Sequence, residues 1–163
     1  MQGLLGPEHV VTAVEQGGRT PAERVRWVPW GEPREPAPHA PVGPVAGPVA
    51  VEIPPWPGAI PGPAPARVLA PPVAASLVDG RGHAVRVSAR GDLSAPPARV
   101  ESVALPRGGG TVTAWAGPWA QDVRWWDRAT HARRVTWQVV VDGTVACLVQ
   151  VTQGAATVTA IYD

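Results

Sequence analysis

The fold is decided by residues 135–162, which read VTWQVVVDGTVACLVQVTQGAATVTAIY. Apolar and β-branched residues alternate with other residues in the first run, and Asp142-Gly143 then supplies a hairpin turn. A second run spans 145–152, Gln153-Gly154-Ala155 makes another turn, and a third run spans 157–162. This pattern predicts a three-stranded antiparallel meander, because period-two alternation turns one face of each strand towards a core.

Similar signals precede the meander at a spacing of about ten residues between turns, which is typical of small all-β domains. Residues 73–78 and 84–89 flank a turn at Asp79-Gly80-Arg81-Gly82 and predict a hairpin. Further strands are predicted at 99–105 and, after a run of glycines, at 111–115. Together these runs predict a mainly β fold of about six or seven short strands, curled into a small antiparallel sheet or a partly open barrel.

Composition divides the chain into three segments. Pro and Gly together make 39 of the 163 residues, and proline recurs every few residues from Pro33 to Pro65. Such a run lacks backbone donors and favours polyproline conformations, so residues 31–65 are predicted to be a Pro-rich flexible linker. Residues 1–30 are predicted to be a short ordered segment, in which Thr20-Pro21-Ala22-Glu23 is typical of a helix start. Residues 66–163 form the predicted tryptophan-rich all-β module.

The charge and cysteine content argue against several classes of function. The formal net charge is +1 and all 14 basic residues are arginine, so no large field directs the chain to nucleic acid or to an anionic membrane. The single cysteine, Cys147, excludes an internal disulfide, and its place in an apolar alternating run predicts a buried structural thiol. No apolar run approaches the roughly 18 residues of a membrane span and no signal-peptide pattern is present, so a cytoplasmic protein is expected.

The residue types that carry catalysis are not arranged as a catalytic motif requires. Gly108-Gly109-Gly110 is followed by neither a lysine nor a helical pattern, which argues against a phosphate-binding loop. The four histidines lack metal-ligand spacing, and no serine lies in a nucleophile-elbow motif. Asp122 and Asp127 are interpreted as turn or salt-bridge partners of Arg124 and Arg128 rather than as paired catalytic carboxylates. The sequence therefore predicts a protein that is not an enzyme and holds neither metal nor cofactor.

Tryptophan is concentrated in one block, since five of the eight lie between residues 115 and 137. A domain without phenylalanine needs some of these rings as core, and Trp115, Trp137 and one of the adjacent pair at 125 and 126 are expected there. Adjacent strand residues point to opposite faces, so the other member of the pair is exposed or covered by another segment. Exposed Trp beside Arg is typical of interface hot spots. The candidate partner-binding residues are Trp119, Arg124, Trp125, Trp126 and Arg128, with Trp56 as an anchor in the linker.

Two parts of this block resemble a known family. Trp115-Ala116-Gly117-Pro118-Trp119, followed by Arg124-Trp125-Trp126-Asp127, resembles the region near the C-terminus of actinobacterial ImuB proteins, which are similar to Y-family DNA polymerases. Further matches follow the same order along the chain: Gln2-Gly3-Leu4-Leu5-Gly6-Pro7-Glu8, Gln16-Gly17-Gly18-Arg19, Pro21-Ala22-Glu23-Arg24-Val25, Pro29-Trp30-Gly31-Glu32, Pro55-Trp56-Pro57-Gly58, Arg86-Val87-Ser88, Arg90-Gly91 and Ile161-Tyr162-Asp163. The resemblance spans essentially the whole chain and covers only the region that follows the polymerase-like core.

The resemblance implies a role in DNA repair. ImuB-type proteins are non-catalytic adaptors of the damage-induced SOS response that join the sliding clamp, an error-prone replicative-type DNA polymerase and a RecA-like accessory protein in a translesion-synthesis complex. Their C-terminal region is the part that contacts the polymerase and the accessory protein. Gln2-Gly3-Leu4-Leu5 lacks the terminal apolar pair of a clamp-binding peptide, so clamp binding is expected only through upstream sequence. The assembled complex would be associated with the nucleoid.

Two alternatives stay open at this point. The module could bind single-stranded nucleic acid, because curled sheets with exposed Trp and Arg recur in that role, and Arg128, Arg133 and Arg134 favour it. It could also be a purely structural domain that caps and stabilises an upstream protein.

Overall fold

The computed structural model describes residues 6, 9–34, 59–88, 92–124, 126–128 and 131–162. The chain separates into two compact units, Met1–Ile60 and Pro61–Asp163. Most of the linker predicted from sequence, including Trp56, lies outside the described residues.

The first unit is a two-stranded antiparallel sheet. Strands β1 (Val11–Glu15) and β2 (Val25–Pro29) pair along their full length and flank a 3₁₀ helix at Pro21–Arg24. The Glu23 carboxylate accepts the backbone N–H groups of Arg19 and Thr20 at 3.1 and 3.2 Å. This is the interaction that the Thr20-to-Glu23 spacing predicts for a helix start, because the first N–H groups of a helix have no partner within it.

Ile60 is fixed to this same unit. Its backbone N–H donates to the Arg19 carbonyl at 3.0 Å, and its own carbonyl accepts from Arg24 Nη2 at 2.9 Å. The Ile60 side chain is buried. The residue that ends the first unit along the chain is therefore held by backbone and side-chain contacts.

The second unit is a closed ring of six antiparallel strands in the order β3-β4-β5-β6-β7-β8, with β8 pairing back to β3. The strands are β3 (Arg67–Val78), β4 (Arg99–Glu101), β5 (Gly109–Val123), β6 (Ala132–Val141), β7 (Val145–Thr152) and β8 (Ala155–Tyr162), with a 3₁₀ helix at Pro106–Gly108 before β5. The predicted mainly β fold with a curled antiparallel sheet is confirmed.

The C-terminal meander has the predicted turns. Asp142 and Gly143 join β6 to β7 with φ angles of 49° and 69°, and Gln153 and Gly154 join β7 to β8 with φ angles of 51° and 85°. Two successive positive φ angles define the type I′ turn, whose twist matches that of the flanking strands. Asp, Asn and Gly tolerate this conformation best, which is why Asp142-Gly143 predicts a turn from the sequence alone.

The core of the ring comes mainly from the meander. Trp137, Val139, Cys147, Val149 and Val158 have no measurable exposure and alternate with residues on the outer face. The predictions of a core Trp137 and a buried Cys147 thiol are confirmed. Burial raises the pKa of Cys147 to about 12, because the thiolate would lose its hydration.

The predicted hairpin after β3 does not form in the described residues. Past the turn, residues 84–88 make only isolated bridges, Val78 to Ala84 and Val87 to Leu93, and no second strand. Asp79 accepts the N–H groups of His83 and Arg81, which lowers the pKa of its carboxyl and fixes the turn. The next strand along the chain, β4, pairs with residues 76–78 of β3.

Strand β4 is also shorter than predicted, since it ends at Glu101 rather than at residue 105. The Ser102 N–H still donates to the Gly108 carbonyl at 2.9 Å, but the Ser102 carbonyl accepts the Leu105 N–H at 3.1 Å, so a turn replaces the rest of the predicted strand. Gly109 then starts β5 with φ 117° and ψ −167°, a region that is essentially restricted to glycine. An added Cβ there would lie 2.1 Å from the Val100 carbonyl oxygen, so the glycine run serves close strand approach and is more than a bare turn.

The described part of the chain contains no helix with the length and apolar character needed to cross a bilayer.

Candidate functional site

The tryptophan block lies on the β5–β6 hairpin. These strands pair from Val112 opposite Val141 to Val123 opposite Ala132. Strand β4 pairs with β5 only over residues 109–111. Among the described strands, β6 is therefore the only neighbour of the rest of β5, and the side chains of that stretch are largely exposed.

Trp115 was expected in the core, and that prediction is wrong because its side chain is 41% exposed. It lies opposite Val139, which is fully buried, but it follows a register shift between Val112 and Ala114. Among the described strands only β6 pairs with β5 at this position, because the pairing of β4 with β5 stops at Thr111.

Trp119 is half-buried and lies opposite Thr136. A second register shift, between Ala116 and Trp119, contains Gly117 and Pro118. Gly117 has φ 109°, and an added Cβ would lie 3.0 Å from the Thr136 carbonyl oxygen. Only glycine fits there without strain, so this irregularity sets the position at which Trp119 re-enters the ladder.

The tip of the hairpin presents Trp126 to solvent. Arg124 has φ 53°, and its carbonyl accepts the Asp127 N–H at 3.0 Å, which closes a turn around the tip. Trp126 lies in that turn and is 70% exposed. Arg124 and Arg128 are exposed beside it in sequence, and Trp125 lies outside the described residues. Four candidate residues therefore share one hairpin: Trp119, Arg124, Trp126 and Arg128.

Asp122 has a structural role at the base of the loop that joins β5 to β6. It contacts His131 Nε2 through one carboxylate oxygen and lies 3.8 Å from Arg133 Nε through the other. The interpretation of Asp122 as an ion-pair partner is confirmed, but Arg124 was wrong as its partner. The cross-strand register places Arg133 directly opposite Asp122, whereas Arg124 already lies in the turn.

A groove of about 790 Å³ lies beside the same base. Its walls come from residues 84–88, from the adjoining ends of β5 and β6, and from the end of β7 with the turn that follows it. Its lining includes three buried valines and three arginines: Val85, Val135, Val151, Arg86, Arg133 and Arg134. Sequence reasoning missed this site, because it forms only where distant segments meet.

Metal ligands are not grouped in the described residues, where no three His, Cys, Asp or Glu side chains come close enough to hold an ion. Comparison of the chain with protein-family models, with curated proteins and with solved structures finds no match.

Proposed function

We propose that the second unit is a non-catalytic protein-docking module and that the β5–β6 hairpin is its docking surface. The observation that carries this proposal is the exposure of Trp126 on a ring whose core is already filled by Trp137 and aliphatic residues. A large exposed aromatic side chain with arginines beside it in sequence has the composition of an interface hot spot. Trp119, Arg124 and Arg128 would surround the anchor.

The exposed area is large enough to matter for binding. A tryptophan buries about 150–250 Å² when fully covered. With 70% of Trp126 exposed, covering it would remove roughly 100–170 Å² from water. At about 25 cal/mol per Å², this corresponds to about 3–4 kcal/mol before the costs of association.

We assign the module to an ImuB-type translesion-synthesis complex. The support is the order of the tryptophan and arginine motifs in the sequence, and the partners would be the error-prone replicative-type DNA polymerase and the RecA-like accessory protein. The sliding clamp would be reached through upstream sequence. Docking would work by proximity, because a short tether raises the effective concentration of a bound polymerase at the clamp to about millimolar.

The test is a binding titration of the immobilised chain with each of the two purified partners. Trp126→Ala should weaken binding by at least about 30-fold, as expected for a hot-spot residue, and should leave the unfolding midpoint unchanged. Trp27→Ala is the matched control, because Trp27 lies on β2 of the first unit and is 65% exposed.

Wild-type affinity of the Trp126→Ala protein for both partners would reject the hairpin as the docking surface. Absence of binding by the wild-type chain to either partner would reject the assignment to this complex and favour a purely structural domain.

A further inference from the structure

The groove beside the hairpin combines an apolar wall with positive charge. Val85, Val135 and Val151 contribute buried aliphatic surface from three separate segments. Its volume of about 790 Å³ lies within the roughly 300–1,000 Å³ that is typical of ligand sites. The groove is therefore large enough for more than one side chain of a partner.

The charge of the groove differs from that of the whole chain. Three arginines and one aspartate line it, which gives a formal charge of +2, whereas the chain as a whole carries +1. Arg133 lies 3.8 Å from Asp122, yet its side chain remains 55% exposed. Its guanidinium can therefore donate hydrogen bonds to a carboxylate of another molecule while it stays near Asp122, because an arginine has five N–H donors.

We infer that this groove binds an acidic segment of a partner protein in which an apolar side chain is flanked by carboxylates. The apolar side chain would contact the three valines, and the carboxylates would pair with Arg86, Arg133 and Arg134. Single-stranded nucleic acid fits less well, because no described residue of the lining is aromatic and bases would have no ring on which to stack. The inference rests on the proposed docking function and adds a second contact surface to it.

The experiment uses the whole chain and a short fluorescein-labelled peptide in which leucine is flanked on both sides by glutamates. Fluorescence anisotropy should show saturable binding. The same peptide with glutamines in place of the glutamates should bind at least about tenfold more weakly, because it cannot form charge-assisted hydrogen bonds. An unlabelled oligothymidine serves as competitor at low and at moderate salt.

Charge reversal locates the site. Arg133→Glu and Arg86→Glu should each weaken the acidic peptide by about tenfold, since each places a like charge against a carboxylate. Arg99→Glu is the control, because Arg99 also lies on a strand, is paired with Glu101 and has a side chain that is 53% exposed. It should change the affinity by less than about twofold.

Three outcomes would overturn the inference. The first is equal affinity for the glutamine and the glutamate peptide. The second is wild-type affinity of the Arg133→Glu protein for the glutamate peptide. The third is displacement of the glutamate peptide by oligothymidine that binds more tightly than the peptide does. The docking proposal stands separately from these results, because Trp126→Ala would still weaken partner binding by at least about 30-fold if only the groove inference failed.

Discussion

The buried thiol of Cys147 makes the stability of the ring dependent on pH above 9. Its pKa is about 12 in the folded chain, whereas the ordinary value is 9.0. Because the folded state holds the proton more tightly, the stability is fully present below pH 9. It falls as the unfolded chain releases that proton, and the loss is complete near pH 12.

The size of the effect follows from the two pKa values. At pH 10 the unfolded thiol is about ten-elevenths ionised and the folded thiol almost fully protonated, which lowers the free energy of unfolding by about 1.4 kcal/mol. This is a substantial part of the roughly 5–15 kcal/mol that is typical of a small protein.

The assay is urea unfolding of the wild type and of Cys147→Ala at pH 8 and pH 10, so that the variant corrects for all other titrating groups. The variant itself should lose about 1 kcal/mol at pH 8 because of the small cavity that it creates in the core. Wild type should lose about 1.4 kcal/mol more than the variant between the two pH values. Equal losses in both proteins, or rapid reaction of the native thiol with a maleimide at pH 8, would refute this reasoning.

Three further predictions concern single residues of the second unit, each measured by urea unfolding. Gly109→Ala should cost at least about 3 kcal/mol, because it combines a glycine-only conformation with a 2.1 Å approach to the Val100 carbonyl. Trp137→Ala should cost about 3–5 kcal/mol as a core truncation, whereas Trp126→Ala should cost less than about 0.5 kcal/mol. Asp142→Ala should cost about 0.5–1.5 kcal/mol, because Asp142 Oδ1 accepts a β5 backbone N–H at 2.8 Å in an exposed hydrogen bond.

Controls separate the causes in these predictions. Gly143 also has a positive φ, but nothing lies within 4 Å of an added Cβ there. Equal costs for Gly143→Ala and Gly109→Ala would mean that the approach to Val100 contributes nothing. A cost for Trp126→Ala as large as that for Trp137→Ala would place Trp126 in the core rather than at a docking surface.

The meander was predictable from sequence because its signals are local. Alternation in residues 135–162 and the turn residues Asp142-Gly143 depend only on near neighbours in the chain. The exposure of Trp115 depends instead on where β4 begins, because the pairing that places Arg99 opposite Thr111 stops there and leaves the rest of β5 paired with β6. Local propensity carries no information of this kind.

The groove beside the hairpin could not be predicted either, because it also depends on contacts between segments that are distant in the sequence. Arg86 and Arg133 are 47 positions apart in the sequence, and they line one groove because the fold brings residues 84–88 beside the adjoining ends of β5 and β6. The sequence predicted that one of the adjacent tryptophans at 125 and 126 is exposed or covered by another segment, but the alternation of strand residues alone could not decide which of the two.

The anchoring of Ile60 fixes the start of the segment that connects the first unit to β3. Ile60 follows most of the proline-rich stretch, and it is hydrogen-bonded to Arg19 and Arg24 of the first unit. Only residues 61–66 separate Ile60 from β3. These six residues, rather than the whole predicted linker of 31–65, therefore join the first unit to the docking module.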